Sequence, residues 1–123
     1  APLESGVRLA PAGAHLKLQG RRLELDAVTV CGAHRPSGDV LLSSLARSVG
    51  AGAVAVVMTG MGRDGAAGLA EVAAAGGRTI AQDEASSTIF GMPRAAAEVG
   101  ARMILPLDAI GPELATLSRH VRS

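Results

Sequence analysis

Apolar and polar residues alternate over the first thirty residues of the chain. Short runs of this kind stand at 7–10 (VRLA), 15–18 (HLKL) and 22–26 (RLELD), and Pro11 and Gly20 lie in the breaks between them. Alternation with a period of two is typical of strands with one face in water, and proline and glycine favour the turns between such strands. The pattern predicts short antiparallel strands, a β-hairpin region over residues 1–31.

A helical pattern follows the linking residues 32–39, GAHRPSGD. The run DVLLSSLARSVG places apolar residues at helical spacing and ends before Gly50, namely Leu41, Leu42, Leu45 and Val49. Ser37 or Asp39 is expected to cap the N-terminus of this helix, because short polar side chains accept hydrogen bonds from the first N–H groups.

The rest of the chain alternates between strand and helix patterns. Three short runs predict strands, and the first of them, which is continuously apolar and β-branched, is expected to be buried on both faces of a parallel sheet. The predicted strands are AVAVVM (53–58), TIAQ (79–82) and MILPL (103–107), and the predicted helices are GAAGLAEVAAAGG (65–77), PRAAAEVG (93–100) and IGPELATLSRHV (110–121). Residues 39–123 therefore predict a helix followed by β-α-β-α-β-α, an α/β fold with a wound parallel sheet of the three-layer α/β/α type.

Composition and charge exclude several classes of protein. A chain of 123 residues with 48% apolar residues is sufficient for one folded domain. Twelve basic and eleven acidic residues leave a net charge of +1, and aromatic residues make up 1% of the chain, so nucleic acid is not an expected partner. The longest apolar run is too short to span a bilayer, and no membrane insertion is expected.

Histidine and cysteine are too sparse to indicate a metal site. Cys31 is the single cysteine, which excludes an internal disulfide, and we expect it to be a small buried residue. His15 lies in a predicted strand and His120 in a predicted helix, and neither has a metal-binding partner at usable spacing. The chain opens without a signal-peptide pattern, so the predicted location is the cytoplasm.

The stretch TGMGRDGAAGL at 59–69 has two functional interpretations. Its glycines have the G-x-G-x-x-G spacing of dinucleotide-binding loops, at Gly60, Gly62 and Gly65. A predicted strand precedes them, and Asp83 follows near the end of the next strand. Against nucleotide binding, Asp64 stands at the predicted helix N-terminus, where its charge would repel a pyrophosphate.

The second interpretation of this stretch is catalytic. Asp64 follows the carboxyl end of a predicted parallel strand, which is the edge at which functional groups of open α/β sheets lie. A carboxylate held there by N–H groups suits the triad member that orients a histidine, and the flanking glycines leave backbone N–H groups to face an oxyanion. Spacing alone favours a third interpretation, in which Asp64 only caps the helix.

Several longer segments resemble one known family. VVMTGMGRDGAAGL, TIAQDEASSTIFGMPRAAAEVGA and ILPL, in this order, resemble the catalytic domain of CheB, the chemotaxis protein-glutamate methylesterase and glutamine deamidase. LAPAGAHL and HRPSGDVLLSSLA are similar to the same family, so the resemblance covers nearly the whole chain. It implies that residues 1–123 are the C-terminal portion of a methylesterase catalytic domain, and that this domain is incomplete.

The resemblance also implies a chemistry. It points to a Ser-His-Asp hydrolase that needs no cofactor and removes methyl groups from glutamates in the cytoplasmic regions of chemoreceptors. The family motif T-G-M-G-x-D-G places its triad aspartate at Asp64 and its oxyanion donor at the backbone N–H of Met61. The family's GMP turn stands at residues 91–93, and Gly38 stands where the family usually has an apolar residue.

The largest departure from the family concerns the other two triad members. The family's serine and histidine lie in segments upstream of the hairpin, and these 123 residues do not contain those segments or a receiver domain. A receiver domain or the missing N-terminal part of the domain is therefore an expected partner. His34, Ser86 and Ser87 are candidate replacements, although a loop hydrogen bond and helix caps are their favoured roles. A catalytically inert interaction or remnant module is the alternative function.

Overall fold

A computed structural model describes residues 6–27 and 37–122. The elements in these ranges are, in chain order, β1 (His15–Gln19), β2 (Arg22–Asp26), α1 (Gly38–Ser48), β3 (Val54–Val57), α2 (Ala66–Ala74), β4 (Arg78–Gln82), α3 (Met92–Val99), β5 (Met103–Leu105) and α4 (Leu107–Arg122). A short 3₁₀ turn at Gly50–Gly52 joins α1 to β3.

Three strands form a parallel sheet in the order β3-β4-β5. Val56 is in register with Ile80, and Ile80 is in register with Met103. The helices α2 and α3 pack against each other and against the sheet, while α4 packs against β4. The strands β1 and β2 form a separate antiparallel hairpin. The predicted fold class, a wound parallel α/β sheet preceded by a hairpin, is confirmed.

The core lies between the sheet and the helices α1, α2 and α3. Its buried side chains are Leu42, Ala53, Ala55, Val57, Leu69, Val72, Ala81 and Ala96. The central strand β4 is buried at every position except Arg78. In β3, Val54 and Val56 are only half-buried. The prediction that this run is buried on both faces was wrong, because β3 lies at the edge of the described sheet and its second face is less covered.

The hairpin is attached to α1. The backbone N–H of Leu18 donates to Ser44 Oγ at 2.8 Å, and Ser48 Oγ donates to the Leu18 carbonyl at 2.9 Å. These two serines are four residues apart, so they lie on the same face of the helix. In turn, α1 packs closely on α2, since a Cβ at Gly68 would meet Leu42 Cβ at 2.7 Å. The hairpin, α1 and α2 therefore form successive layers outside the sheet.

Two predicted elements differ in the structure. The run at 7–10 is not a strand, although it was predicted to be one. The last helix begins at Leu107 and contains Pro112, whereas the prediction began at Ile110. The N–H of Leu107 donates to Ser86 Oγ at 2.9 Å, and this contact with a distant loop has no signal in the local sequence.

Candidate active site

The loop between β3 and α2 follows the carboxyl end of β3 and contains Asp64. Gly62 and Gly65 adopt φ angles of +86° and +94°, which side chains rarely allow. Gly65 is the residue that precedes α2, and it has no side chain with which to cap that helix. The N–H of Ala66 donates to the nearby Arg63 carbonyl at 3.1 Å, and the other N–H groups of the first turn of α2 need an acceptor from elsewhere in the chain.

Residues at the start of α1 hold the carboxylate of Asp64. Ser37 Oγ donates to its Oδ1 at 2.8 Å, the N–H of Gly38 donates to its Oδ2 at 2.7 Å, and the N–H of Asp39 donates to its Oδ1 at 3.1 Å. The helix dipole and these donors stabilise the ionised carboxylate. Asp64 does cap a helix, but that helix is α1 rather than α2.

Asp39 performs the matching role for α2. Its Oδ1 accepts hydrogen bonds from the N–H groups of Gly65, at 3.0 Å, and Gly68, at 2.8 Å. Ser37 is the N-cap residue of α1, as predicted, but its side chain makes no capping hydrogen bond to that helix. The Ser37 hydroxyl donates to Asp64, and the Asp39 carboxylate reaches across to the neighbouring helix.

The same contacts leave no place for a pyrophosphate at this helix. The N–H groups of Gly65 and Gly68, at the N-terminus of α2, already bind the Asp39 carboxylate. Asp83, the expected ribose ligand, accepts from the N–H of Ser86 at 3.0 Å and from its hydroxyl at 2.6 Å. The geometry therefore opposes the dinucleotide interpretation, and the repelling carboxylate at the α2 N-terminus is that of Asp39.

Hydrogen bonds to the preceding carbonyl fix the direction of the Met61 N–H. The Gly60 oxygen accepts from the N–H of Gly91 at 3.1 Å and from that of Met92 at 2.8 Å. This carbonyl and the Met61 N–H belong to one planar trans peptide unit, so they point in opposite directions. The Met61 N–H donates to nothing in the described parts of the chain. Met61 is 75% exposed.

The start of α3 also polarises this peptide unit. Gly91 is the N-cap residue and Met92 the first residue of α3, so the Gly60 oxygen accepts at the positive end of a helix. Hydrogen bonds in series strengthen one another, which makes the Met61 N–H a better donor. The approach is close, because a Cβ at Gly60 would meet Met92 Sδ at 2.6 Å.

The candidate replacement nucleophiles have structural partners. Ser86 Oγ donates to Asp83 and accepts from the first N–H of α4, so Ser86 does cap a helix, but a distant one. Ser87 Oγ donates to the Asp83 carbonyl at 2.6 Å. His34 and Cys31 lie outside the described residues, as does the side chain of His120.

A buried histidine near Asp64 was not predicted as part of the site. His15 is fully buried, and its Nδ1 accepts the N–H of Ser37 at 3.1 Å. The hydroxyl of Ser37 donates to Asp64 and not to this imidazole, so the pair lacks the nucleophile-to-base hydrogen bond of a triad. His15 instead anchors the residue from which α1 starts. The one sequence feature that could have indicated this role is a histidine at a core-facing position of an amphipathic strand.

Comparison with known proteins identifies the family. The family model described as CheB methylesterase matches residues 2–114. The chain belongs to the CheB methylesterase family. Protein-glutamate methylesterase FrzG of Myxococcus xanthus is 53% identical to this CheB-family chain over 110 residues, which are 88% of the chain and 33% of FrzG. A protein-glutamate methylesterase/protein-glutamine glutaminase of Ralstonia nicotianae is 50% identical over 121 residues, 93% of the chain and 32% of that protein.

A solved structure supports the same assignment. The CheB methylesterase catalytic domain of Thermotoga maritima superposes with a TM-score of 0.82 at 34% identity, and the match covers 87% of this chain and 59% of that one. The chain spans about a third of the length of these curated relatives, 33% of one and 32% of the other. None of the described helices is both long and apolar enough to cross a membrane.

Proposed function

We propose that this CheB-family chain supplies the aspartate and the oxyanion donor of a protein-glutamate methylesterase. The observation that carries the proposal is the fixed Asp64 carboxylate, which three donors hold beside the carboxyl end of β3. In the proposal, the serine and the histidine come from a part of the catalytic domain that these 123 residues do not include.

The proposed reaction is ester hydrolysis in two steps. The serine oxygen attacks the ester carbonyl carbon of a methylated glutamate, and the histidine takes the serine proton. The tetrahedral intermediate collapses, the histidine returns the proton to the leaving methoxide, and methanol departs. Water then attacks the acyl carbon while the same histidine takes its proton; the bond to the serine oxygen breaks, the histidine returns the proton to that oxygen, and the glutamate side chain is released and ionises to a carboxylate. Asp64 orients the imidazole and stabilises its charged form.

Met61 contributes through its backbone in this proposal. Its N–H points away from Gly91 and Met92, which bind the carbonyl of the same peptide unit. The negative oxygen of the tetrahedral intermediate would accept from this N–H. A donor that is already oriented needs no rearrangement as charge develops, and that is the main source of catalysis by such groups.

The proposed substrates are methylated glutamates in the cytoplasmic regions of chemoreceptors, and the proposed location is the cytoplasm. The relative from Ralstonia nicotianae is also named a protein-glutamine glutaminase, so glutamine deamidation is a second proposed reaction. In that reaction ammonia replaces methanol as the leaving group. A receiver domain, or the preceding part of the catalytic domain, is the proposed protein partner.

A chimeric enzyme tests the role of Asp64. The chain is joined to the N-terminal portion of the M. xanthus FrzG catalytic domain, and methanol release from a methylated receptor fragment is measured. Asp64→Ala should lower turnover by about 10⁴-fold, as the loss of a triad aspartate does. Asp108→Ala is the matched control, because Asp108 is an exposed aspartate in the first turn of α4. Near-normal methanol release from the Asp64 variant would show that the assignment is wrong.

An inert interaction module is the second candidate for the 123 residues alone. The observation in its favour is that the hydroxyls of Ser37, Ser86 and Ser87 all donate to oxygen atoms of aspartates. The isolated chain should therefore release methanol no faster than buffer does. Release above that level that is abolished by Asp64→Ala would contradict inertness and would indicate a complete site within the chain.

A further inference from the structure

We infer that Asp39 is a positioning residue for Asp64, an inference that rests on the function proposed above. Asp39 does not reach the reacting groups in that mechanism. It binds the N–H groups of Gly65 and Gly68 on the helix that begins beside Asp64. The catalytic role of Asp64 therefore depends on a second carboxylate, that of Asp39 in the first turn of α1.

The two aspartates cap each other's helices. Asp64, one residue before the N-cap of α2, accepts from the N–H groups of Gly38 and Asp39 at the start of α1. Asp39, in the first turn of α1, accepts from the N–H groups of Gly65 and Gly68 at the start of α2. We call these four hydrogen bonds the reciprocal cap.

The reciprocal cap constrains Asp64 at two points. The bond from the Gly65 N–H to Asp39 fixes the backbone immediately after Asp64. The bonds from Gly38 and Asp39 fix the direction of its side chain. A cap on one side only would hold the carboxylate or the backbone but not both. Misplacement of a catalytic group by about 1 Å can lower turnover by about 10²-fold, so this second constraint matters for catalysis.

Close packing leaves the two helices little room to slide. A Cβ on Gly68 would lie 3.0 Å from the Asp39 carbonyl oxygen and 2.7 Å from Leu42 Cβ. The backbone of α1 therefore rests directly on α2 at the point where Asp39 binds it. Gly65 needs its positive φ of +94°, so a capping side chain at that position would be strained. Asp39 supplies from α1 the acceptor that α2 cannot supply for itself.

The activity test uses the chimeric enzyme described above. Asp39→Ala should lower kcat by about 10- to 100-fold with little change in KM, because Asp64 is displaced while the substrate-binding surface remains. Asp39→Asn retains a capping oxygen and should restore most of the activity. In an Asp64→Ala background, Asp39→Ala should have no further effect on the residual rate. An equal loss of rate in both backgrounds would overturn the inference.

The outcomes separate this inference from the proposed function. If Asp64→Ala is inactive and Asp39→Ala has normal kcat, the positioning role is wrong and the proposed function stands. If Asp64→Ala is itself active, the proposed function is wrong. Gly68→Ala serves as a second variant, since it keeps both carboxylates but forces α1 away from α2, and it should also lower kcat.

Amide hydrogen exchange on the 123-residue chain tests the reciprocal cap without any activity assay. Asp39→Ala should speed exchange at Gly65 and Gly68, which lose their acceptor. It should also speed exchange at Gly38, whose N–H binds Asp64 and not Asp39. The reference is Ile80, which is fully buried in the central strand and should keep its protection if the change is local. Unchanged protection at Gly38 would show that the two caps are independent, and the inference would fail.

Discussion

Gly91 lies so close to Gly60 that a Cβ on Gly91 would stand 2.9 Å from the Gly60 carbonyl oxygen. The same oxygen accepts the Gly91 N–H at 3.1 Å. The peptide unit that directs the Met61 N–H therefore rests on a residue without a side chain. The GMP turn at 91–93 and the TGMG loop at 59–62 are about thirty residues apart in the sequence, and together they orient this N–H.

Gly91→Ala should disturb the orientation of the Met61 N–H. The added methyl group must displace the Gly60 carbonyl oxygen and the Gly62 nitrogen, because both atoms lie 2.9 Å from its position. We expect kcat of the chimeric enzyme to fall by about 10- to 100-fold, since the proposed oxyanion donor is displaced. Gly111→Ala is the control, as a Cβ there meets nothing within 4 Å. Equal rates for the two variants would contradict the role given to Gly91.

Met61→Pro removes the proposed oxyanion donor and can be compared with Met61→Ala. Proline has no backbone N–H, so kcat should fall by about 10²- to 10³-fold, as for the loss of other oxyanion donors. Met61→Ala keeps the N–H and removes only a side chain that is 75% exposed, so its kcat should remain close to that of the parent. The ratio of the two kcat values is the decisive measurement. A ratio near one would exclude the backbone N–H of Met61 from catalysis.

His15→Leu should destabilise the 123-residue chain. The variant removes the acceptor of the Ser37 N–H, and an unsatisfied buried donor costs about 1–3 kcal/mol. Urea unfolding followed by circular dichroism gives the change in the free energy of unfolding. Leu25→Ala in the hairpin is the comparison, because Leu25 is 62% exposed and should change stability by less than about 0.5 kcal/mol.

Ser44→Ala should loosen the attachment of the hairpin to α1. Ser44 is buried and its Oγ is the acceptor of the Leu18 N–H, so the free energy of unfolding should fall by about 1–3 kcal/mol. Exchange at the Leu18 amide should rise more than exchange at Ile80, which lies in the sheet. Ser118→Ala on the exposed face of α4 should alter neither quantity. A uniform rise at both amides would indicate global destabilisation instead.

The regular part of the fold could be predicted because its signal is local. The TIAQ run could be predicted as a strand around its apolar pair Ile80 and Ala81, and the structure buries four of the five residues of β4, including the polar Thr79 and Gln82. Helix ends at glycine were also visible, since α3 ends next to Gly100. The prediction of a strand at 7–10 was wrong because alternation over four residues occurs readily in loops. A strand also needs a neighbouring strand with which to pair.

The contacts that define the candidate site are not local, and the sequence could not indicate them. Ser37 and Asp39 have the residue types of N-caps, but their side chains bind residues 26 to 29 positions away. Whether an aspartate caps its own helix or a neighbour depends on how closely two helices meet. Asp64 could be identified from its motif. Its three hydrogen-bond donors could be identified only once the position of α1 was known.

The reciprocal cap also bears on how the chain folds. Each helix obtains part of its N-terminal stabilisation from a residue at the start of the other, so neither gains it while the other is unformed. Peptides of 11 and 9 residues corresponding to α1 and α2 should show little helix in water, because short helices are marginal without tertiary contacts. The two helices should instead appear together in a folding experiment, with Asp64 reaching its final orientation only when both are complete.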